Sequence, residues 1–250
     1  MKKIIHFVSG PAVLFFVWYS VSALHLVEPF FLPGPLVTIK KFFQLLISGN
    51  ILPDLFATLF RLGLSFLIAV LVGVPLGLML GFSKKLYRHV EFLIDFFRSL
   101  PASALFPLFL ILFGAADWSK IAVVAFASTL IVIFHTAYGV LHSSKTRTLA
   151  TRLMGVNHWQ LFCHVTWWET LPHTLVGLRH AVSLSLAVII VTEMFVGTAV
   201  GLGRRIIDFQ ITYEMPNLYA TILLAGLVGY LSNLVFIFLE ARAVHWNGRV

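Results

Sequence analysis

The chain has 250 residues, 59% hydrophobic and 11% charged, with a formal net charge of +8 and a mean hydropathy of +0.94. Soluble domains carry about 25% charged residues, so this composition excludes an ordinary globular fold and points to a polytopic membrane protein. No Lys/Arg-rich run of the nucleic-acid-binding kind is present, so no nucleic-acid partner is expected and the basic residues read as a record of topology. The single cysteine, Cys163, excludes an internal disulfide framework and a CxxC zinc spacing.

A helix needs about 20 mostly apolar residues to cross the hydrocarbon core. The first such run covers 5–27; it is longer than a signal-peptide core, carries Trp18 and Tyr19, and reads as a retained helix. Residues 30–53 follow, where FLPGP and SGNILP flank the amphipathic LVTIKKFFQLLIS; this segment is too broken to span and is predicted to lie along the outer surface. The second span is predicted over 57–82, with Gly73, Gly77 and Gly81 recurring every four residues around Pro75. The third covers 93–114, the fourth 121–142, the fifth 174–197 with Glu193 near its far end, and the sixth 216–240. Between the last two, 201–216 forms a second outer segment. The six spans read as one membrane domain over 1–250, without tandem repeats or low-complexity tracts.

An even number of spans puts both termini on one side. If that side is cytoplasmic, Lys2, Lys3, Lys84, Lys85, Arg88, Lys145, Arg147, Arg152, Arg179, Arg242 and Arg249 lie inside. Lys40, Lys41, Lys120, Arg204 and Arg205 then lie outside. Eleven against five places both termini in the cytoplasm.

By that topology 143–172 is the longest cytoplasmic loop. TLATRLM reads as a helix end closed by Gly155, where a backbone free to adopt positive φ is favoured. Asn157 can cap a second short helix, with Gln160 placed to reach back in a capping box. On that helix Trp159, Phe162, Cys163 and Thr166 share a mostly apolar face, and Pro172 stands where a new helix could begin. The residues alone allow two readings: an interfacial helix resting in lipid headgroups, or a helix whose apolar face a partner covers.

The loop resembles the EAA loop of ATP-binding cassette (ABC) importer permeases. That pattern runs from an acidic residue and two alanines through a glycine to a Leu-Pro about sixteen residues later; Gly155, WQLF at 159–162 and Leu171-Pro172 match it. TLFRLGLSFLIAVLVGVPLGLMLGFS, RSLPASALFPLFLILFG, HTAYGV and GLRHAVSLSLAVIIVTEMFVGTAVGLG extend the likeness, in order, to the nitrate/sulfonate/taurine branch. Two departures stand out: Leu149-Ala150-Thr151 replaces Glu-Ala-Ala, and Trp167-Trp168 replaces an inner Leu-Pro.

The resemblance implies an all-α, six-helix type I importer permease of the MetI-like architecture, multi-pass in the cell inner (plasma) membrane. It implies a coupling role for Ala150, Gly155, Asn157, Trp159, Gln160, Phe162, Leu171 and Pro172, which would face an ATP-hydrolysing subunit. The implied partners are two such ATPases, a second copy of the permease and a periplasmic or extracellular solute-binding protein. ATP and Mg would belong to the ATPases, leaving this chain without catalytic residues or a cofactor. Consistent with this, the sequence has no G-x-x-x-x-G-K-[ST] phosphate loop; GFSKK at 81–85 lacks the spacing.

Within the spans, the glycine triad suits close helix packing, and Pro75 is the alternative candidate for a gating hinge. A charge near the bilayer centre costs about 2.5–3.5 kcal/mol on insertion scales. Glu193 is therefore expected either to pack against a partner or to line the pathway, and Arg98 and Arg61 to snorkel from the ends of their spans. His135/His142 and His173/His180 are each seven apart, but without HxxxH, HxxHH or HExxH boxes no metal site is expected. A stand-alone secondary transporter is the alternative function; it would call for paired, interrupted helices in two matching halves. An integral membrane enzyme is disfavoured by the sparse acidic residues. The five outward-facing cations are too few and scattered to argue for an anionic solute.

Overall fold

The computed structural model describes residues 2–195 and 198–244. The expected fifth span ends at 197, so its last two positions, and Arg249 of the topology count, lie outside the described residues. Every regular element among the described residues is helical. In chain order they are α1 (Lys2–Ala23), α2 (Pro35–Ile47), α3 (Leu52–Phe82), α4 (Lys84–Ser99), a 3-10 turn (Ala102–Leu105), α5 (Phe106–Phe113) and α6 (Asp117–Leu141). Then come α7 (Lys145–Leu153), α8 (His158–Leu161), a π-helical turn (Phe162–Thr166), α9 (Trp167–Met194), α10 (Leu202–Ile211) and α11 (Met215–Ala243).

Four helical stretches are long and apolar enough to cross a membrane: Leu52–Phe82, Asp117–Leu141, Trp159–Met194 and Met215–Ala243. A fifth crossing is available if α4 and the Ala102–Phe113 stretch count as one, but these are bent by 89°. The third segment is thus not the straight helix expected over 93–114. The cause is local: Pro101 disfavours helical φ/ψ at the residue before it, and Leu100 is extended at φ −73° and ψ 133°. A second proline does the opposite of what was expected. Pro172 lies inside α9 instead of opening a helix, because the chain already runs as helix from Trp159 and membrane helices tolerate the one backbone bond a proline removes.

The contacts divide the chain into two compact units, Met1–Ala57 with Ala199–Leu227, and Thr58–Thr198 with Val228–Val250. In the first unit, the Trp18 Nε1–H donates to the Pro33 carbonyl at 3.1 Å, and Phe30 stacks on Tyr213 at 5.8 Å. Asp54, buried in the first turn of α3, accepts from the Gly201 N–H at 2.8 Å and from Arg205.

The second unit is built on α6 and α9, with Leu62, Phe106, Val123, Val124, Val182, Leu186, Val188 and Ile189 forming its main apolar core. Small and hydroxylated side chains line the α6–α9 seam, as close packing in lipid favours. Ser128 and Ser185 oxygens are 2.6 Å apart, and the Thr174 hydroxyl donates to Thr136 at 3.2 Å. Gly73, Gly77 and Gly81 of α3 lie against Val132, Thr136 and Val140 of α6, each within reach of one turn. Pro75 between them is exposed, and α3 passes through it unbroken.

A Cβ at Gly77 would stand 2.7 Å from the Thr136 Cβ and 2.9 Å from the Ile133 carbonyl oxygen. Gly77→Leu is expected to destabilise the second unit by about 1–3 kcal/mol or more, lowering the midpoint of thermal unfolding in detergent. Gly63→Ala, where a Cβ meets nothing within 4 Å, should leave the midpoint unchanged or slightly raised.

Candidate functional site

The loop between α6 and α9 is ordered by local hydrogen bonds. Ser144 caps α7, its Oγ accepting from the Arg147 N–H at 3.3 Å. The Ser144 N–H itself donates to Glu169 Oε2 at 2.7 Å, and Arg147 Nε ion-pairs with Glu169 Oε1 at 2.9 Å. At the other end of α7, Gly155 sits at φ +79° with its N–H donating to the Arg152 carbonyl at 3.0 Å. A Cβ there would meet nothing within 4 Å; the position requires glycine for its left-handed backbone and not for space. Asn157 and Gln160 then exchange hydrogen bonds: the Gln160 N–H donates to Asn157 Oδ1 at 2.8 Å and the Asn157 N–H to Gln160 Oε1 at 3.0 Å. This reciprocal pair starts α8 by satisfying two amide groups that the helix cannot.

Of the residues singled out in this loop, Ala150, Gly155, Asn157, Trp159 and Gln160 are exposed, and Phe162, Leu171 and Pro172 are half-buried. The single apolar face expected from Trp159, Phe162, Cys163 and Thr166 does not form as such. Leu161 and Thr166 are buried while Trp159 is 71% exposed. The π turn at Phe162–Thr166 inserts an extra residue into the helix and shifts the register that regular spacing predicts. Phe162 packs against the rings of Phe82, Trp159 and Trp167 at 5.5, 5.5 and 6.3 Å. The turn around Gly155 carries exposed Leu149, Leu153 (82%), Met154 and Trp159, an apolar patch flanked by Lys145, Arg147 and Arg152.

At the opposite end of the α6–α9 pair is a buried charge cluster. Glu193 is fully buried; its carboxylate accepts from the Thr58 hydroxyl at 2.9 and 3.0 Å and pairs with Arg61 at 2.6 Å. The other side of the Arg61 guanidinium holds Asp117 at 2.8 Å, and buried Lys120 lies 3.7 Å from the same carboxylate. Arg61 is only 5% exposed, so the expectation that it snorkels is corrected: it is buried and held by intramolecular carboxylates. Arg98 is also held by protein, 3.2 Å from Asp95 and 3.8 Å over the Phe134 ring.

Sequence reading weighs Glu193, Arg61 and Arg98 one at a time and does not single out Asp117. The available signal was balance: two cations and two carboxylates placed in or at the ends of apolar spans. The histidines come together in a way their spacing along each helix did not disclose. His135 Nε2 and His180 Nδ1 are 3.3 Å apart, while His142 stacks on Tyr138 at 3.9 Å and His173 meets the same ring at 5.5 Å. Among the described residues no group of three His, Cys, Asp or Glu is placed to hold a metal ion.

Residues 73–244 match the family model for binding-protein-dependent transport system inner membrane components. The chain belongs to this family. It is a membrane-spanning permease component of an ATP-driven ABC importer, a class of subunit that is not itself catalytic. This permease is 28% identical to the taurine transport system permease protein of Escherichia coli over 96% of its own length and 88% of the relative's. It is 25% identical to the nitrate import permease protein of Synechocystis over 97% and 90%. These relatives match the nitrate/sulfonate/taurine branch that the sequence resembles. Among solved structures, the permease fold matches a chain of the inward-facing MetNI methionine ABC transporter with a TM-score of 0.67 and 18% identity. That match covers 79% of this chain and 97% of the other.

Removing one partner of a buried ion pair leaves the other uncompensated, at a cost of about 3–5 kcal/mol. Glu193→Leu is accordingly expected to lower the thermal unfolding midpoint strongly. The double variant Arg61→Met/Glu193→Leu should recover most of the loss, since Asp117 is half-exposed and can be solvated without Arg61. A double variant as unstable as the single would mean that the pair itself contributes the stability.

Proposed function

We propose that two copies of this permease form the translocation pathway of an importer in the cell inner membrane. Each copy contributes six spans: α1, α3, the bent α4–α5 segment, α6, α9 and α11, with both termini in the cytoplasm. Two ATP-binding subunits, which carry ATP and Mg, dock on the 143–172 loops, and a solute-binding protein delivers the solute from outside. Ala150, Gly155, Asn157, Trp159, Gln160, Phe162, Leu171 and Pro172 set the docking geometry, while Pro75 is the candidate gating hinge. Glu193 acts as a packing anchor. By analogy with the taurine and nitrate permeases, the solute is a small oxyanion or sulfonate.

The observation that carries this reading is the exposed apolar turn of Leu149, Leu153, Met154 and Trp159 in a chain of this family. Exposed apolar clusters rimmed by polar groups mark interaction surfaces. Here the patch is presented by a glycine turn and a capping box that hold its backbone in one conformation.

Native mass spectrometry of the tagged protein, gently extracted from its own cells, tests the assembly. The expected species contains two permeases and two ATPase chains. Leu153→Asp and Gly155→Asp should each reduce ATPase recovery by about tenfold, the loss corresponding to about 1.4 kcal/mol. Transport at full rate by the single chain without an ATPase would overturn the proposal and restore the secondary-transporter reading.

A further inference from the structure

The position where the resembling loops carry an acid is occupied here by Leu149, which is exposed and apolar. A carboxylate nevertheless serves this loop, from a different element. Glu169 in the first turn of α9 is only 9% exposed and turns toward the start of α7. One oxygen takes the Ser144 N–H at 2.7 Å; the other faces Arg147 Nε at 2.9 Å. Ser144 is the N-cap of α7, so the carboxylate sits at the positive end of that helix, where a negative charge is favoured.

The remaining attachments of α7 make this contact consequential. No residue of α7 is buried, so the helix has no apolar face seated on a core. Its covalent route to α9 runs through Gly155, a left-handed glycine with open space around it, and then through a π turn. That route is ordered locally but seats no residue of α7 in the core, so a direct attachment is what ties the start of α7 to the span. Glu169 supplies that attachment directly from the base of the span.

We propose that Glu169 is a positioning residue for ATP-driven transport: it fastens α7 to α9, so that displacement of the loop by the ATPase is delivered to the membrane span. This rests on the coupling role proposed above for the 143–172 loop. Glu169 replaces, from α9, the acid that position 149 lacks, and leaves the apolar Leu149 free for the docking surface.

The test uses the complete complex in lipid nanodiscs, with spin labels in a Cys163→Ser background. One label, at Arg152→Cys, reports α7; the other, at Trp118→Cys, reports the far end of the α6–α9 pair. Copy-to-copy distances are measured by pulsed electron paramagnetic resonance with and without a non-hydrolysable ATP analogue. In the otherwise unaltered complex both distances should change on nucleotide binding. With Glu169→Ala, the change at 152 should persist and the change at 118 fall to less than half. Arg147→Gln, on a side chain 70% exposed that the fold does not depend on, should move the 118 signal in the same direction by a smaller amount.

A full 118 response in both variants overturns the proposal. So does a Glu169→Ala complex that merely unfolds at lower temperature while Arg147→Gln responds fully, since that identifies a structural role alone. A failure of the unaltered chains to assemble with an ATPase sinks the coupling reading itself, and is seen before any variant is made.

Discussion

A fully buried carboxylate meeting a nearly buried guanidinium is the constraint on which the larger unit is arranged. In hydrocarbon an unpaired Glu193 or Arg61 would be intolerable, so the helices that carry them must meet at one register. Thr58 and Arg61 fix α3, Asp117 and Lys120 fix α6, and Glu193 fixes α9. Apolar side chains alone could not impose this, because lipid tails solvate leucine as well as another helix does. The charge cluster selects the alignment, and dispersion between close surfaces then stabilises it.

Along the same helices, size takes over from charge. Gly73, Gly77 and Gly81 bring the α3 backbone against α6, and Gly139 and Gly177 let α6 and α9 approach until the neighbouring His173 and His135 Cβ atoms would collide with any added methyl. The seam is completed by serine and threonine pairs whose hydroxyls bond one another. The result is one tightly closed helix pair that ends in the 143–172 loop, and that loop is tied back to α9 by Glu169.

What the sequence disclosed and what it withheld follow the range of the forces involved. The glycine stripe was legible because small residues every four positions have one geometric meaning on a helix. The Asn157–Gln160 box and the Gly155 turn were legible because both are complete within a few residues. The Arg61–Glu193 pair joins positions 132 apart in sequence, and no periodicity connects them; read singly, each charge invited a bland explanation. The break at Pro101, inside the span expected over 93–114, and the unbroken helix through Pro172 depart from the sequence expectation in opposite directions for one reason. A proline's effect depends on whether the preceding turn is already held as helix, and Trp159–Met194 is continuous where α4 and α5 are not. The paired imidazoles needed the α6–α9 packing itself before they could be seen.

The π turn at Phe162–Thr166 has a geometric corollary. Such a turn is an α-helix carrying one residue too many, and each residue rotates a helix by about 100°. The direction in which Trp159 and Gln160 of α8 face is therefore set by residue number, like the lay of a screw thread. Deleting one residue between 162 and 166 would restore a regular helix and leave α9 in place. α8 would swing about a quarter-turn around the axis and carry Trp159 and Gln160 to another side, while Ser144 and Arg147 stay tied to Glu169.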